Sequence, residues 1–357
     1  MATNAKGTTR VDHRKLTRFV TLAFERLGVV PSDAETAANV LVMADLRGVE
    51  THGVLRFNPR SWYVKWLRDG EMNPRPDMRV VSENASSALL DADNGMGMVA
   101  GHRAMELAIQ KAKSSGVSIV GVRNSRHFGM SAYYAMRALP HDMIGLAMTN
   151  ASRQVVPTFG REAKFGTNPI CVAAPAKDEL PFVLDMATNT AAAGKLEVAA
   201  RRGEAIPLGW ALDENAAPTT DPRVAQKARR LLPLGGTREA GSHKGYGLAI
   251  VVEILCGVLT GTVTALNSNQ DPRGHFFGAI HIDPFRPVEE FKSDIDRLIR
   301  ELKSTPPIDG RKRVYVAGEI EFETAKERTA NGIPLHDSII KDLREVSAQL
   351  SLPFDLF

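Results

Sequence analysis

The sequence predicts an α/β (α+β) fold, with a sheet-bearing middle flanked by helical ends that pack together. Three observations lead there. Apolar residues at both ends recur at the helical period, and from about residue 80 short apolar runs alternate with helical stretches. The third is size: 357 residues, 43% hydrophobic and 24% charged, supply a large core and chain enough for more than one lobe. On this reading residues 1–78 form a helical N-terminal part, 79–285 a sheet-containing part, and 286–357 a helical C-terminal part that packs with the first.

Taken in order, Leu16, Phe19, Val20, Ala23, Phe24 and Leu27 mark a first helix that Gly28 stops. Ser32 with Glu35 three residues on has the capping-box form, so a second helix is expected from Ser32 to about Leu46, ending at Gly48. His52 and Arg56 follow in a loop, and Trp62, Tyr63 and Trp66 mark another helix. Strands are expected at Ser87–Leu90, Val117–Val122, Met143–Met148, Ile170–Ala174 and Phe182–Leu184, with helices at 97–114, 129–139 and 189–202 between them. A long helix at 244–260 and a strand at 276–282 follow, then a mostly helical tail from 288, broken at Val314–Ala317.

Charge and cysteine usage narrow the function classes. Lys+Arg total 45 and Asp+Glu 41, a surplus of +4, which is not the footprint of a nucleic-acid binder. Cys171 and Cys256 sit in apolar runs without metal-knuckle or disulfide spacing, which fits a reducing, cytoplasmic setting and no metal site. The most apolar stretch, Leu248–Leu259, contains Glu253 and is too short to span a bilayer, and no secretory signal is evident.

Residues 95–100, Gly-Met-Gly-Met-Val-Ala, fit the G-x-G-x-x-A fingerprint of a dinucleotide-binding turn. The run that should end in a ribose-binding acid ends instead in Arg123 and Asn124, and a glycine-rich entry into a packed helix explains the pattern equally. Five other segments carry chemistry. Arg47-Gly-Val-Glu-Thr-His-Gly-Val-Leu-Arg56 sets His52, a proton carrier near neutral pH, beside the hydroxyl of Thr51 and four positions before Arg56, whose fork suits a carboxylate. Arg123-Asn-Ser-Arg-His-Phe-Gly-Met-Ser131 lies between a strand and a helix, where backbone N–H groups can meet an anion. Phe165-Gly-Thr-Asn-Pro169 is the third. Val183-Leu-Asp-Met-Ala-Thr-Asn-Thr190 is the fourth, with Asp185 and Thr188 placed as ligands or as helix caps. The fifth, Gly241-Ser-His-Lys-Gly-Tyr-Gly247, opens the long helix with Lys244.

In this order the five segments resemble the type-2 malate/L-lactate dehydrogenase family, which also holds ureidoglycolate dehydrogenase, sulfolactate dehydrogenase, 2,3-diketogulonate reductase and Δ1-piperideine-2-carboxylate reductase. The runs Ala-Ala-Arg-Arg-Gly-Glu-Ala-Ile-Pro-Leu-Gly-Trp-Ala-Leu-Asp and Pro-Thr-Thr-Asp-Pro add to the match, which covers about residues 12–350. The resemblance implies a non-Rossmann NAD(P)-binding domain with a mixed, largely antiparallel sheet, a helical domain from both chain ends, and a homodimer. The glycine pattern at 95–100 is then structural.

By the same resemblance His52 is the proton donor to the 2-oxo group, supported by Thr51, where relatives carry Ser. Arg56 and Thr167 bind substrate. His127, Phe128, Gly129, Met130 and Ser131 bind the cofactor, NAD or NADP, as do Asp185, Met186 and Ala187, the pair His243 and Lys244, and Gly318, Glu319 and Ile320. Imine-reducing members carry an Asp where this chain has Lys195, which tilts the reading toward 2-hydroxy acids and makes Lys195 a specificity candidate. Two segments depart from the pattern: Thr237-Arg-Glu-Ala-Gly-Ser242 is long, and the stretch from Gly261 to Gly274 is short. The activity implied is hydride transfer between NAD(P) and a small malate- or lactate-like hydroxy acid. A cyclic-imine or ureidoglycolate-type reductase and a non-catalytic cofactor-binding homologue are the alternatives.

Overall fold

Seven strands form one open mixed sheet in the spatial order Arg79–Glu83, Ser87–Asp91, Val117–Ser125, Arg273–His281, Met143–Thr149, Ile170–Ala174, Phe182–Met186. This computed structural model describes residues 7–262 and 273–357, so most of the short stretch after Gly261 lies outside the described residues. Every pairing is antiparallel except that of Ser87–Asp91 with Val117–Ser125. The central strand, Arg273–His281, is buried along nearly its whole length. Helix Gly97–Ser115 and the π-helical turn Glu253–Val258 both pack on it. Both faces being covered, the strand has no need of apolar–polar alternation.

The parallel pair flanks helix Gly97–Ser115, so the glycine pattern does sit at a strand–helix turn. It cannot cradle a phosphate there. A Cβ on Gly97 would lie 2.0 Å from the carbonyl oxygen of Arg126, and one on Gly95 2.6 Å from Pro76. Protein backbone and side chains fill the space a pyrophosphate would need.

At the chain ends, Thr8–Val11 pairs antiparallel with Ile333–His336. Helices His13–Arg26 and Pro31–Leu46 pack on each other, and Glu319–Asn331 lies against the second. One apolar core runs from Val11 and Phe24 through Met98, Met105 and Val120 to Leu343 and Leu356, joining the helical ends to the sheet. Helix Val288–Ser304 makes its polar contacts elsewhere: Lys292 pairs with Asp142, and Asp296 accepts from the backbone N–H groups of Lys177, Asp178 and Glu179.

Several expected elements change. Helix Pro31–Leu46 starts one residue early with Pro31 in its first turn and Val30 as cap, so Ser32 lies inside it and caps nothing. Pro at the first helical position brings a φ preset for the helix and has no N–H to leave unpaired. The helix expected at 129–139 is α-helical only over Ser131–Ala135 and tightens to 3-10 geometry over Met136–His141, where Pro140 lacks the N–H to continue. The helix expected at 189–202 begins at Ala193, and the one at 244–260 is α-helical over Ser242–Val252 and π-helical over Glu253–Val258. Strands Thr8–Val11, Arg79–Glu83 and Ile333–His336 were not anticipated: Arg79–Glu83 is exposed throughout, and the two four-residue strands are too short for a periodic signal, though Ile333 and Leu335 are buried.

Candidate active site

His52 and Arg56 ride on two successive single 3-10 turns, Glu50–His52 and Val54–Arg56, hinged at Gly53. Asp45, near the end of helix Pro31–Leu46, holds this hinge from beneath. Its buried carboxylate accepts from the Val54 N–H at 2.8 Å, and a Cβ on residue 53 would lie 1.9 Å from its other oxygen. Only glycine fits over that carboxylate. Burial pushes the Asp45 carboxyl up to about 8. From outside, Arg328 donates to the Asp45 carbonyl at 2.6 Å and pairs with Glu50 at 2.6 Å.

Within the turn, Thr51 Oγ1 lies 3.0 Å from His52 Nδ1. With His52 Nδ1–H donating to that hydroxyl, the ring proton sits on Nδ1 and Nε2 keeps the lone pair that can take a proton. Arg56 Nε donates to the Thr51 carbonyl at 2.7 Å, and its guanidinium lies over the Trp62 ring, 4.4 Å from the centroid. Trp62 has φ +59°, a left-handed conformation costing about 1–3 kcal/mol for a bulky residue. The tight bridges Phe57–Trp62 and Asn58–Ser61 impose it and so set the platform under Arg56.

His127 completes the group. Its ring stacks on that of His52, centroids 5.6 Å apart and planes 15° apart. The Tyr63 hydroxyl donates to His127 Nδ1 at 2.5 Å, and the Gly129 N–H points at the same nitrogen from 3.3 Å. With Nδ1 accepting, the His127 proton resides on Nε2. Burial, helped by the Arg56 charge, pushes His52 down to about 4. Burial also holds His127 well below the usual histidine range, with His52 and Arg273 adding to it. Both rings are therefore neutral near pH 7.

Three of the predicted cofactor segments lie together, His127–Ser131, Asp185–Ala187 and Gly318–Ile320. Asp185, at the end of Phe182–Met186, accepts from the Ala132 N–H at 2.7 Å and from the Ser131 hydroxyl. Its surface is open to water, yet enough protein surrounds it that burial pushes the carboxyl up to about 6, against the pull of Ala132 N–H and Arg47. The Val183 N–H donates to the Ala317 carbonyl at 3.1 Å, which brings Gly318–Ile320 alongside the same strand. Not every side chain there is available. Glu319 is buried against Lys303 at 3.0 Å and Arg313 at 3.3 Å, and Phe128 is a core residue stacked on His275.

Thr167 joins the next segment through its carbonyl, which takes the Thr188 N–H at 2.9 Å. The Leu234 N–H binds the Thr188 carbonyl, and Gly245 packs on Leu234, so helix Ser242–Val252 is tied to the same strand end. His243 and Lys244 are exposed in its first turn, with Arg238 Nη1 3.0 Å from His243 Nδ1. Neither Thr167 nor Lys244 has a hydrogen bond to the His52–His127 group among the described residues.

Lys195 lines a cavity of about 290 Å³ whose wall also includes Thr51, and its Nζ lies 5.9 Å from the Trp210 ring centroid. In the sequence Trp62 and Tyr63 read only as helix residues, and Asp45, Arg47 and Trp210 carry no site signature of their own. Asp45 stands out only as an acid within the apolar run Leu41-Val-Met-Ala-Asp-Leu46. Arg47 is 5% exposed, lies 4.3 Å over the Phe322 ring, and its Nε has no hydrogen-bond partner among the described residues. Among those residues no group of three or more His, Cys, Asp or Glu is arranged to hold a metal ion, and no helix is long and apolar enough to cross a membrane.

An imidazole with one nitrogen engaged, a guanidinium four residues further along the chain and a flanking cavity define an enzyme site for proton transfer on a small carboxylate. A model of the family described as malate/L-lactate dehydrogenase matches residues 11–344, and the chain belongs to that family. It is 44% identical to the malate dehydrogenase of Pyrococcus horikoshii over 349 residues, 96% of each chain. To the L-sulfolactate dehydrogenase of Methanocaldococcus jannaschii it is 40% identical over 334 residues, covering 92% of this chain and 93% of that one. Among solved structures, malate dehydrogenase from Entamoeba histolytica superimposes with a TM-score of 0.93 at 33% identity, over 97% of this chain and 99% of that one.

Proposed function

We propose that the protein is an NAD(P)-dependent dehydrogenase interconverting a small 2-hydroxy acid and its 2-oxo acid. The observation that carries this reading is the Thr51–His52–Arg56 turn: a neutral imidazole, tethered at Nδ1, beside a guanidinium already held by a backbone carbonyl and an indole face. Arg56 keeps its Nη groups for the substrate carboxylate and fixes orientation, an entropic contribution. His52 Nε2 exchanges a proton with the C2 oxygen, accepting it as the hydroxy acid is oxidised and returning it in reduction. His127, locked with its proton on Nε2, borders His52 and excludes water from that face.

The residues present fit a nicotinamide dinucleotide. Asp185 offers a carboxylate open to hydroxyl donors, and the buried guanidinium of Arg47, its Nε unpartnered among the described residues, is attracted to the same place. His127–Ser131, Asp185–Ala187, His243–Lys244 and Gly318–Ile320 would hold it, with Glu319 and Phe128 contributing backbone. When bound, the cofactor supplies or takes the hydride at substrate C2. Lys195 in place of a carboxylate disfavours a cationic imine substrate. Purified protein assayed with NADH and NADPH against oxaloacetate, pyruvate, sulfopyruvate and a cyclic imine tests the reading, which requires a 2-oxo acid to be reduced faster than the imine.

The working form is a homodimer, an assignment that rests on family resemblance and on one surface, and its two free cysteines fit a cytoplasmic setting. Helix Ser242–Val252 and its π-helical continuation turn Leu248, Val251, Ile254, Val258 and Leu259 outward, with Ile254 50% and Val258 59% exposed. A stripe of that kind exceeds what a monomer normally leaves in water.

A further inference from the structure

We infer that the cavity between Thr51 and Trp210 is the subsite for a second acidic group on the substrate, with Lys195 as its cation. The inference deepens the hydroxy-acid reading and rests on it. Thr51, whose hydroxyl lies 3.0 Å from His52 Nδ1, lines the cavity and joins it to the proton-transfer turn. Helix Ala193–Arg202 is pressed against that edge: a Cβ on Gly194 would lie 2.9 Å from Thr51 Cγ2. Lys195 is therefore fixed one residue from the contact. Its ammonium leans toward the Trp210 ring and has no hydrogen bond or ion pair among the described residues.

The rest of the wall is mostly apolar, formed by Val198, Ala199, Ile206, Pro207 and Trp210. Lys195 itself is exposed at the cavity edge, where its ammonium is free to meet an anion. Glu204 also lines the cavity, and Glu197 on the same helix is felt by Arg56, so the walls are not uniformly cationic. These carboxylates repel an anionic tail, and Lys195, the cation lining this cavity among the described residues, is the charge that offsets them. With the 2-carboxylate on Arg56 and the C2 oxygen on His52, the remaining substituent at C2 points along Thr51 into the cavity. A carboxylate or sulfonate there meets Lys195; a methyl group meets nothing that distinguishes it.

The test compares oxaloacetate with 2-oxobutanoate, a substrate of the same chain length with an uncharged tail, in the wild type and in Lys195→Met. The wild type is expected to favour oxaloacetate in kcat/KM by at least about tenfold, the scale of one hydrogen bond to a charged group. Lys195→Met should lower kcat/KM for oxaloacetate by about 10- to 100-fold, mainly through KM, and change 2-oxobutanoate by less than about threefold. Lys195→Arg should restore most of the oxaloacetate preference. An equal loss on both substrates, or an unchanged oxaloacetate KM in a variant of wild-type thermal stability, overturns the subsite. Failure of the wild type to reduce any 2-oxo acid would instead overturn the hydroxy-acid reading, and the subsite with it.

Discussion

The imidazole of His127 lies parallel to that of His52, 5.6 Å from centroid to centroid, and takes the Tyr63 hydroxyl on its inner nitrogen. Two neutral histidines are thus held face to face, one tethered to Thr51 and the other to Tyr63. A charge on either ring is opposed by burial. His52 accordingly rests as a base, and gains its proton only when a developing oxyanion compensates the charge.

His52→Ala removes that proton carrier. Turnover should fall by about two to four orders of magnitude, the range for a lost general acid or base. Cofactor affinity, measured by quenching of protein fluorescence, should stay within about threefold, since no predicted cofactor segment includes residue 52. Turnover within a few-fold of the wild type would remove His52 from the mechanism.

Arg56→Lys tests the carboxylate grip. Lysine cannot hold the Thr51 carbonyl, lie flat on Trp62 and present two parallel N–H groups at once. The expected outcome is a KM for 2-oxo acids raised by about 10-fold or more with the melting temperature little changed. Normal kinetics in a destabilised protein would mean that Arg56 only braces the turn.

Oxidation of the hydroxy acid needs neutral His52. With its free-enzyme value near 4, kcat/KM for oxidation should be level through neutral pH and decline only in acid below about pH 5. A pH–rate profile that breaks near the ordinary histidine value would place a different group in the role.

Asp45 gives a stability signature with the opposite sign from the histidines. Its folded value, near 8, lies above the ordinary 3.8, so the folded protein holds a proton that the unfolded chain releases. Its contribution is present at low pH and is lost as pH rises through 8. Asp45→Asn cannot ionise but still offers an oxygen to the Val54 N–H. Between pH 5 and 8 the wild type should lose stability relative to this variant, by about 1.4 kcal/mol per pH unit at most. Denaturant titrations of both proteins across that range read the difference; parallel curves would show that Asp45 ionises normally.

The apolar stripe predicts a dimer. Light scattering should give twice the chain mass, and Ile254→Glu with Val258→Glu should yield a monomer. A wild-type monomer with full activity would assign the stripe to something else.

Much of the fold was legible because its strands are apolar runs and its helices keep their period: Leu16 to Leu27 and Met143 to Met148 needed only their own residues. Harder were the features fixed by distant contacts. Arg79–Glu83 is a strand because its backbone pairs with Ser87–Asp91, not because its exposed side chains ask for one. The π-helical turn at Glu253 follows from the packing of Cys256 and Gly257 against the central strand. In the site, His52, Thr51 and Arg56 were readable as close neighbours in sequence. Tyr63, Asp45 and Trp210 reach it only through the fold, and their roles depend on which buried polar atoms they satisfy.

Direct hydride exchange at substrate C2 is read by isotope transfer. The purified protein is given reduced cofactor carrying deuterium on both positions of nicotinamide C4, together with oxaloacetate in ordinary water, and the product is read by mass spectrometry and proton NMR. The account predicts malate with one deuterium at C2, with the label abolished in step with turnover in His52→Ala. Cofactor binding without any labelled hydroxy acid, across oxaloacetate, pyruvate and sulfopyruvate alike, would contradict it.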